Sequence, residues 1–228
     1  MASERTFREE HLLADGTRVT LRLIRPDDGD ELRRGFTRLS PRSRHQRFLG
    51  CVPELTDEMV RYLTEVDGHD HVAVVATTDS LDLKSEVGLG VARFVRLEDD
   101  PEVAEAAVTV VDDMQGKGVG RLLLRALAAL AFTHRVRVFR GEVFADNAGI
   151  CHLLHEVGAV MRVADGQTLV FDVRLHEPAG AQEGEPLHRL RRLLRAAACS
   201  LGHSAPGHLR ARVRARREWL MGRSPTGG

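Results

Sequence analysis

Three glycines at alternate positions, Gly116, Gly118 and Gly120, have the spacing in this sequence that points most clearly to chemistry. They lie between a β-branched run that ends at Val111 and a segment rich in Leu and Ala, which indicates a strand, a tight turn and a helix. Glycine lets the backbone turn sharply, and the N–H groups at the positive end of a helix attract anions. The pattern therefore predicts a turn that binds phosphate or pyrophosphate.

Two common phosphate-binding motifs do not match this turn. A P-loop requires Lys-Ser or Lys-Thr after its glycines, and neither pair follows Gly120. The dinucleotide fingerprint spaces its glycines as G-x-G-x-x-G, whereas these three glycines are two residues apart. An ordinary Gly-rich connection between a strand and a helix stays open as the alternative.

A carboxylate stands on the strand that leads into the turn. Alternation along this strand places Glu105 on the same face as Ala107, Thr109 and Val111. Because an unpaired carboxylate is costly to bury among small apolar side chains, Glu105 must face a cleft, water or a cation. It is either a general base that accepts a proton from an attacking group or a strand-end residue that reaches solvent.

Two other patterns give weaker predictions. Cys151 and His152 are adjacent, but neighbouring residues on a helix point about 100° apart, so His155 is the histidine spaced to reach Cys151. A structural cysteine is the preferred interpretation. His69 and His71 lie two residues apart without a third ligand nearby, so the sequence predicts no metal site.

Strands and helices that would position these residues can be read from apolar periodicity. Cap residues at Asp27, Ser40 and Thr56 predict three helices before the central strands. Alternating or continuous apolar runs predict seven strands, and the fold class is therefore α/β. The predicted strands cover residues 17–25, 71–77, 86–97, 102–111, 136–145, 159–164 and 167–174.

The turn also matches the pattern Q-x-x-G-x-G, and at this point the chain resembles the GNAT superfamily of acyl-CoA-dependent N-acyltransferases. The segment from Asn147 to Ala159 resembles a second motif of that family, in which a short helix lies beside the CoA arm. The span from about Asp15 to Val173 is similar to the catalytic domain of bacterial protein-lysine acetyltransferases of the Pat type. Their strand before the turn carries A-E-x-A-V-x-V, which here is AEAAVTV.

The resemblance implies a GNAT fold, with a central, mixed, mostly antiparallel twisted sheet of about seven strands and helices on both faces. It implies acetyl-CoA as the cosubstrate, an amine acceptor with a protein lysine as first choice, and Glu105 as the general base. The helices before the central strands would form one wall of the acceptor site. The residues that it implies for acetyl-CoA binding are Val110, Val111, Gln115, Gly116, Lys117, Gly118, Val119, Gly120, Arg121 and Asn147.

The chain departs from the family pattern at Leu154, where the family commonly has a Tyr that protonates the leaving CoA thiolate. Ala159 also replaces a Phe. An active enzyme would need another proton donor, so a non-catalytic regulator that binds acyl-CoA is one alternative. A GNAT enzyme that acetylates a small amine or an antibiotic is the other.

The composition changes after His176. We expect a GNAT domain at residues 1–176, a flexible linker at 177–186 and an Arg-rich tail, helical or disordered, at 187–228. The chain as a whole has 33 basic and 33 acidic residues, whereas residues 175–228 have ten Arg or Lys against four Asp or Glu, a net charge of +6. The tail would contact nucleic acid, an anionic membrane or an acidic partner, or would have no specific partner.

The sequence also bears on cellular location. It contains three cysteines, at Cys51, Cys151 and Cys199, an odd number with no C-x-x-C spacing. This pattern argues against a disulfide framework and a zinc site. No apolar run has transmembrane length and the charged N-terminus lacks a secretory signal, so the sequence predicts a cytoplasmic protein without a transmembrane segment.

Overall fold

The computed structural model describes residues 7–80 and 85–176, so the predicted linker (177–186) and tail (187–228) lie outside the described residues. Its strands are β1 Arg8–Leu12, β2 Arg18–Leu23, β3 His71–Asp79, β4 Glu86–Leu97, β5 Asp100–Val110, β6 Val138–Phe144, β7 Val160–Val163 and β8 Thr168–Arg174. They form a sheet in the order β1-β2-β3-β4-β5-β6-β8-β7. Neighbouring strands pair antiparallel except β5 and β6, which are parallel, and the predicted mixed, mostly antiparallel sheet is confirmed.

The helices are α1 Gly29–Thr37, α2 Pro41–Phe48, α3 Asp57–Thr64, α4 Val119–Thr133 and α5 Ala148–Glu156. Two of the predicted caps are formed: the Ser40 hydroxyl accepts from the Ser43 N–H at 3.1 Å, and the Thr56 hydroxyl accepts from the Met59 N–H at 3.2 Å. Each bond satisfies an N–H group that has no partner within its helix. None of the helices described here is both long enough and apolar enough to span a membrane.

The strand β1 is the one that apolar periodicity did not predict. Its sequence, Arg-Glu-Glu-His-Leu, has no alternation of apolar and polar side chains, and Leu12 is 70% exposed. β1 lies at the edge of the sheet and pairs with β2 along its whole length. Backbone pairing therefore holds this strand in place without apolar burial, which leaves no pattern in the sequence.

The helices cover both faces of the sheet. α4 packs on one face, where Leu123 joins a core that includes Phe94 of β4. The partly buried Val110 of β5 packs against this core. α1, α2 and α3 cover the other face and build a smaller cluster around Phe36 and Phe48. The predicted arrangement of helices on both faces is therefore confirmed.

Shortening one core side chain of α4 should destabilise the protein strongly. Leu123 is fully buried between α4 and the sheet, so Leu123→Ala removes apolar contacts and leaves a cavity. We expect the free energy of unfolding to fall by about 2–5 kcal/mol in a urea titration. The same substitution at exposed Leu12 should change it by less than about 0.5 kcal/mol. Equal losses in the two variants would contradict this assignment of the core.

Candidate functional site

A wedge-shaped gap opens in the middle of the sheet, between β5 and β6. Their pairing ends where Glu105 lies opposite Arg140, although β5 continues to Val110 and β6 to Phe144. Over the same stretch β5 stays paired with β4, and β6 stays paired with β8. The two strands therefore diverge beyond Glu105, and we refer to the space between them as the gap.

The hydrogen-bond pattern of β5 decides which backbone groups face the gap. The Val111 N–H donates to the Leu89 carbonyl at 3.0 Å, on the β4 side. Because an antiparallel ladder alternates, the N–H and C=O groups of Val108 and Val110 point away from β4 and into the gap. Polar backbone groups in that position need partners, which an elongated polar ligand can supply.

Only one of the two predicted backbone contacts with a ligand fits this geometry. Val110 faces the gap, and its carbonyl accepts from the Gln115 side-chain amide at 3.1 Å. Val111 is buried, its N–H is bonded to Leu89, and its carbonyl accepts from the Met114 N–H at 2.9 Å. Because both backbone groups of Val111 already have partners within the protein, the geometry favours Val110 over Val111 for a backbone bond to a ligand.

The Gly-rich turn has the conformation that its glycines predict. Gly116 and Gly118 have φ angles of 74° and 96°, a region that disfavours residues with a Cβ atom. Gly118 is the N-cap of α4 and provides no side chain to cap it. The N–H groups of the first turn, at Val119, Gly120 and Arg121, therefore keep no partner within the helix. A 15-residue helix adds its positive end at the same point, so the turn is suited to a phosphate group.

Two cations of the turn are held by carboxylates. Lys117 Nζ lies 3.2 Å from an Asp15 oxygen, and Arg121 Nη2 lies 2.5 Å from a Glu156 oxygen. Hydrogen bonds from Thr17, together with Lys117, lower the pKa of Asp15 to about 2. These ion pairs hold Lys117 and Arg121 beside the turn. The backbone N–H groups of the turn are therefore the donors available to an anion.

Asn147 contributes to the site through a helix cap. Its Oδ1 accepts from the Ile150 N–H at 3.4 Å at the start of α5. The bond positions α5 next to the end of β6, where Cys151 Sγ lies 3.8 Å from the Phe144 carbonyl oxygen. The structure therefore gives Asn147 a supporting position at the wide end of the gap.

Glu105 lies at the narrow end of the gap. Its side chain is half-buried and points to the face covered by α1, α2 and α3, as strand alternation predicts. Arg47 of α2 shares this environment: burial lowers the pKa of its guanidinium, and the negative charge of Glu105 opposes that shift. The carboxylate thus lies in a partly desolvated place with a cation nearby, where proton transfer is possible.

The helix α2 crosses above the gap and contacts both of its sides. On the β5 side, the Ser40 N–H donates to Asp112 Oδ2 at 3.1 Å, directly before α2. On the β6 side, the His45 ring stacks on Phe144 with ring centroids 4.7 Å apart and planes at 12°. α2 therefore forms a roof over one face of the gap. No sequence signal predicted these contacts, because their partners are about 70 to 100 residues apart.

The position that lacks the family Tyr is part of the core. Leu154 is only 4% exposed and packs with the residues under α4, so this position holds no acid. Burial, and secondarily the charge of Asp146, raises the pKa of the Cys151 thiol. A raised pKa makes a thiolate nucleophile unfavourable, in line with the structural interpretation of Cys151.

His69 and His71, on either side of Asp70, both contact other side chains of the protein. His69 Nδ1 lies 2.8 Å from Asp70 Oδ1, and His71 Nε2 lies 3.0 Å from Arg93 Nη1. Among residues 7–80 and 85–176, no three His, Cys, Asp or Glu side chains are grouped so that they could hold a metal ion.

This chain is similar in sequence to a known protein family and to individual acetyltransferases. Residues 18–160 match the family described as "Acetyltransferase (GNAT) domain". The chain is 32% identical over 160 residues to Acetyltransferase PA5475 of Pseudomonas aeruginosa, an alignment that covers 70% of this chain and 84% of that protein. It is 34% identical over 140 residues to Acetyltransferase Pat of Mycolicibacterium smegmatis, covering 61% of this chain but only 40% of that protein.

A solved structure agrees with the sequence matches. The GNAT domain of S. lividans PAT superimposes with a TM-score of 0.67 at 26% identity, and the alignment covers 74% of this chain and 97% of that domain. The fold is therefore similar over nearly the whole of that domain.

Proposed function

This chain belongs to the GNAT acetyltransferase family, and from that premise we propose that it transfers the acetyl group of acetyl-CoA to a protein lysine with Glu105 as general base. The observation that carries the proposal is the gap, which has the Gly-rich turn at its wide end and Glu105 at its narrow end. An extended cosubstrate with phosphates at one end and a thioester at the other fits this polarity.

Acetyl-CoA would be held by two sets of backbone groups. The N–H groups at the start of α4, from Val119 to Arg121, are suited to its pyrophosphate. The backbone of Val108 and Val110 offers hydrogen bonds along the gap, in place of the missing partner strand. A backbone N–H of this stretch of β5 is also the candidate donor to the thioester carbonyl, where negative charge would develop during the reaction.

The chemistry requires that a proton leave the acceptor before it can attack. An ammonium group has no lone pair, so Glu105, directly or through one water, accepts one of its protons and passes it to solvent. The amine nitrogen then forms a bond to the thioester carbonyl carbon as the C–S bond breaks. The second nitrogen proton is released, and the CoA thiolate takes up one proton, which yields the amide and CoA thiol.

The proton for the thiolate is the step in which this chain departs from its family. Leu154 offers no acid, and its side chain is buried. We assign this proton to solvent water. A regulator that binds acyl-CoA without turnover is the second candidate function, and Leu154 is the observation that favours it.

The choice of a lysine acceptor rests on the similarity to Pat-type proteins. The alignment with the M. smegmatis Pat protein covers 40% of that protein's length. The arginines in and between α1 and α2 give little support to a basic surface that would dock an acidic protein substrate, because several of them contact groups within the protein. Arg38 Nη1 donates to the Gly88 carbonyl at 2.7 Å, and Arg44 lies 4.5 Å from the centre of the Phe36 ring.

Acetyl-CoA turnover, measured by thiol release, tests the proposed function. The protein should be supplied with purified proteins, free polyamines or aminoglycosides as acceptors. Release that depends on protein acceptors, with acetyl-lysine found by mass spectrometry, is the expected result. Release only with small amines would replace the lysine acceptor by a small-molecule amine. CoA binding without release with any acceptor would favour the regulator.

The cellular location of the protein and the partner of its Arg-rich segment follow from the sequence alone. We place the protein in the cytoplasm, on the basis of the number and spacing of its cysteines. We assign its Arg-rich segment at 187–228 to an acidic partner or nucleic acid, on the basis of its charge alone.

A further inference from the structure

Glu142 of β6 lies across the gap from Glu105. β5 and β6 run parallel, and Glu105 pairs with Arg140, so the side chains of these two residues point to the same face of the sheet. Glu142 follows Arg140 by two residues and therefore shares that face. His45 of α2, which lies on that face, stacks on Phe144 two residues further on, as this alternation requires. The gap thus has a carboxylate on each of its sides.

The two carboxylates are spaced so that one small cation can contact both. Neighbouring strands lie about 4.8 Å apart and two residues along a strand add roughly 6.6 Å, so the Cα atoms of Glu105 and Glu142 are about 8 Å apart or slightly more. Both side chains extend to the same side of the sheet. An ammonium group carries three N–H donors and can bond to two carboxylates at once. The spacing therefore suits an ammonium group held between β5 and β6.

The nearby arginines do not neutralise Glu142. Arg140 donates to both oxygens of Asp172 on β8, at 2.6 and 2.8 Å, and these bonds raise the pKa of its guanidinium. At the wide end of the gap, Arg42 lies 3.6 Å from Asp146. In the part of the chain that the structure describes, no cation or hydrogen-bond donor is paired with the Glu142 carboxylate. Its negative charge is therefore available to a ligand.

Glu142 is partly desolvated, yet a ligand can reach it. The side chain is half-buried, beside Val170 of β8. A carboxylate that loses water without gaining a partner is unfavourable, and a bound cation would supply that partner. On the same face of the sheet, Asp172 of β8 is half-buried and Val160 of β7 is 42% exposed. A long side chain can therefore approach Glu142 from solvent across β7 and β8.

We propose that Glu142 binds the ammonium group of the acceptor beside Glu105, so that the protein selects amines that are cationic at neutral pH. The inference rests on the proposed function, since it assigns the acceptor-binding group of that same reaction. A lysine side chain, whose pKa is about 10.4, belongs to this class of amine, whereas an aromatic amine does not.

The bound ammonium reacts in a balanced sequence. Glu105 removes one proton, and the resulting amine keeps a hydrogen bond to Glu142 while its lone pair attacks the thioester carbonyl carbon. The C–N bond forms as the C–S bond breaks. The nitrogen releases its second proton, the thiolate takes up one, and CoA thiol leaves. Glu142 keeps its charge throughout and acts as a binding group.

Binding of n-butylamine, which has the chain and the ammonium group of lysine, tests the inference without turnover. With the full chain saturated with CoA at pH 7, saturation-transfer NMR should give a Kd that rises by roughly 10- to 100-fold in Glu142→Gln. Glu142→Asp keeps the charge and should restore most of the affinity. The neutral analogue 1-butanol should bind wild type and Glu142→Gln alike. Glu102→Gln, exposed on β5 far from the gap, is the matched control and should leave the Kd of butylamine unchanged.

Turnover should show the same dependence on charge. In thiol release with butylamine as acceptor, Glu142→Gln should raise the KM of the amine by a similar factor, while kcat stays within about threefold. The Kd of acetyl-CoA, measured by calorimetry, should not change. With aniline, which is neutral at pH 7, the variant and the wild type should have the same KM.

The outcomes separate this inference from the proposed function. Turnover in wild type with an unchanged Kd and KM of butylamine in Glu142→Gln would overturn the inference and leave the acetyltransferase standing. Equal weakening of butanol and butylamine, or no binding of butylamine to wild type, would overturn it too. If butylamine binds through Glu142 but no acceptor gives turnover, the proposed function fails and the ammonium site stands.

Discussion

Replacing Glu105 with Gln should lower kcat by about 10²–10⁴-fold and leave the affinity for acetyl-CoA nearly unchanged. Gln keeps the size and the hydrogen-bonding oxygen of the side chain but does not accept a proton at neutral pH. Glu105 lies at the narrow end of the gap, away from the Gly-rich turn, so the phosphate contacts should persist. Thiol release gives kcat, and calorimetry with acetyl-CoA gives the affinity.

The matched control for this experiment lies on the same strand. Glu102 of β5 is exposed and lies at the end far from the gap, so Glu102→Gln makes the same chemical change outside the site. It should leave both quantities unchanged. Equal losses of acetyl-CoA affinity and turnover in Glu105→Gln would argue against a base, because they would indicate that the carboxylate supports the structure of the gap.

The second large effect should come from Gly118→Val in the turn. Gly118 has a φ angle of 96°, which a β-branched residue adopts only with strain of about 1–3 kcal/mol. Relief of that strain would rotate the N–H groups at the start of α4 away from the position of the pyrophosphate. We expect the affinity for acetyl-CoA to fall by roughly 5- to 150-fold, the ratio that corresponds to this strain.

Gly166 provides the control for backbone strain as such. It has a φ angle of 87° in the connection between β7 and β8, and an added Cβ would meet no atom within 4 Å. Gly166→Val should therefore reduce stability to a similar degree without changing the affinity for acetyl-CoA. An equal loss of affinity in both variants would mean that the effect reflects general destabilisation, and the turn would lose its assignment as the phosphate site.

The sequence determined most of the elements, because local side-chain patterns encode them. Seven of the eight strands follow from apolar runs, and the caps at Ser40 and Thr56 mark where two helices begin. Gly116 and Gly118 predicted the backbone conformation of the turn, because glycine adopts the positive φ angles found there without strain. The resemblance to the GNAT family, confirmed by the match over residues 18–160, rested on the same short motifs.

The tertiary structure decided the features that depend on residues far apart in the chain. β1 is held by pairing with β2 and shows no apolar pattern of its own. Val110 and Val111 look equivalent in sequence. The hydrogen bond from the Val111 N–H to the Leu89 carbonyl of β4 occupies Val111, and strand alternation then directs the backbone groups of Val110 into the gap. Apolar alternation records which face of a strand is buried, but it contains no information about which neighbour a backbone group meets.

The gap and its roof are the clearest case of this limit. The separation of β5 from β6 begins at Glu105 and Arg140, 35 residues apart, and α2 joins its two sides through Ser40 and His45. These contacts form only after the sheet has assembled, so no local window of sequence contains them. The sequence by itself therefore determined the family, and it predicted a phosphate-binding turn and a carboxylate in the site. Only the packing of distant segments decided how wide the gap is and what covers it.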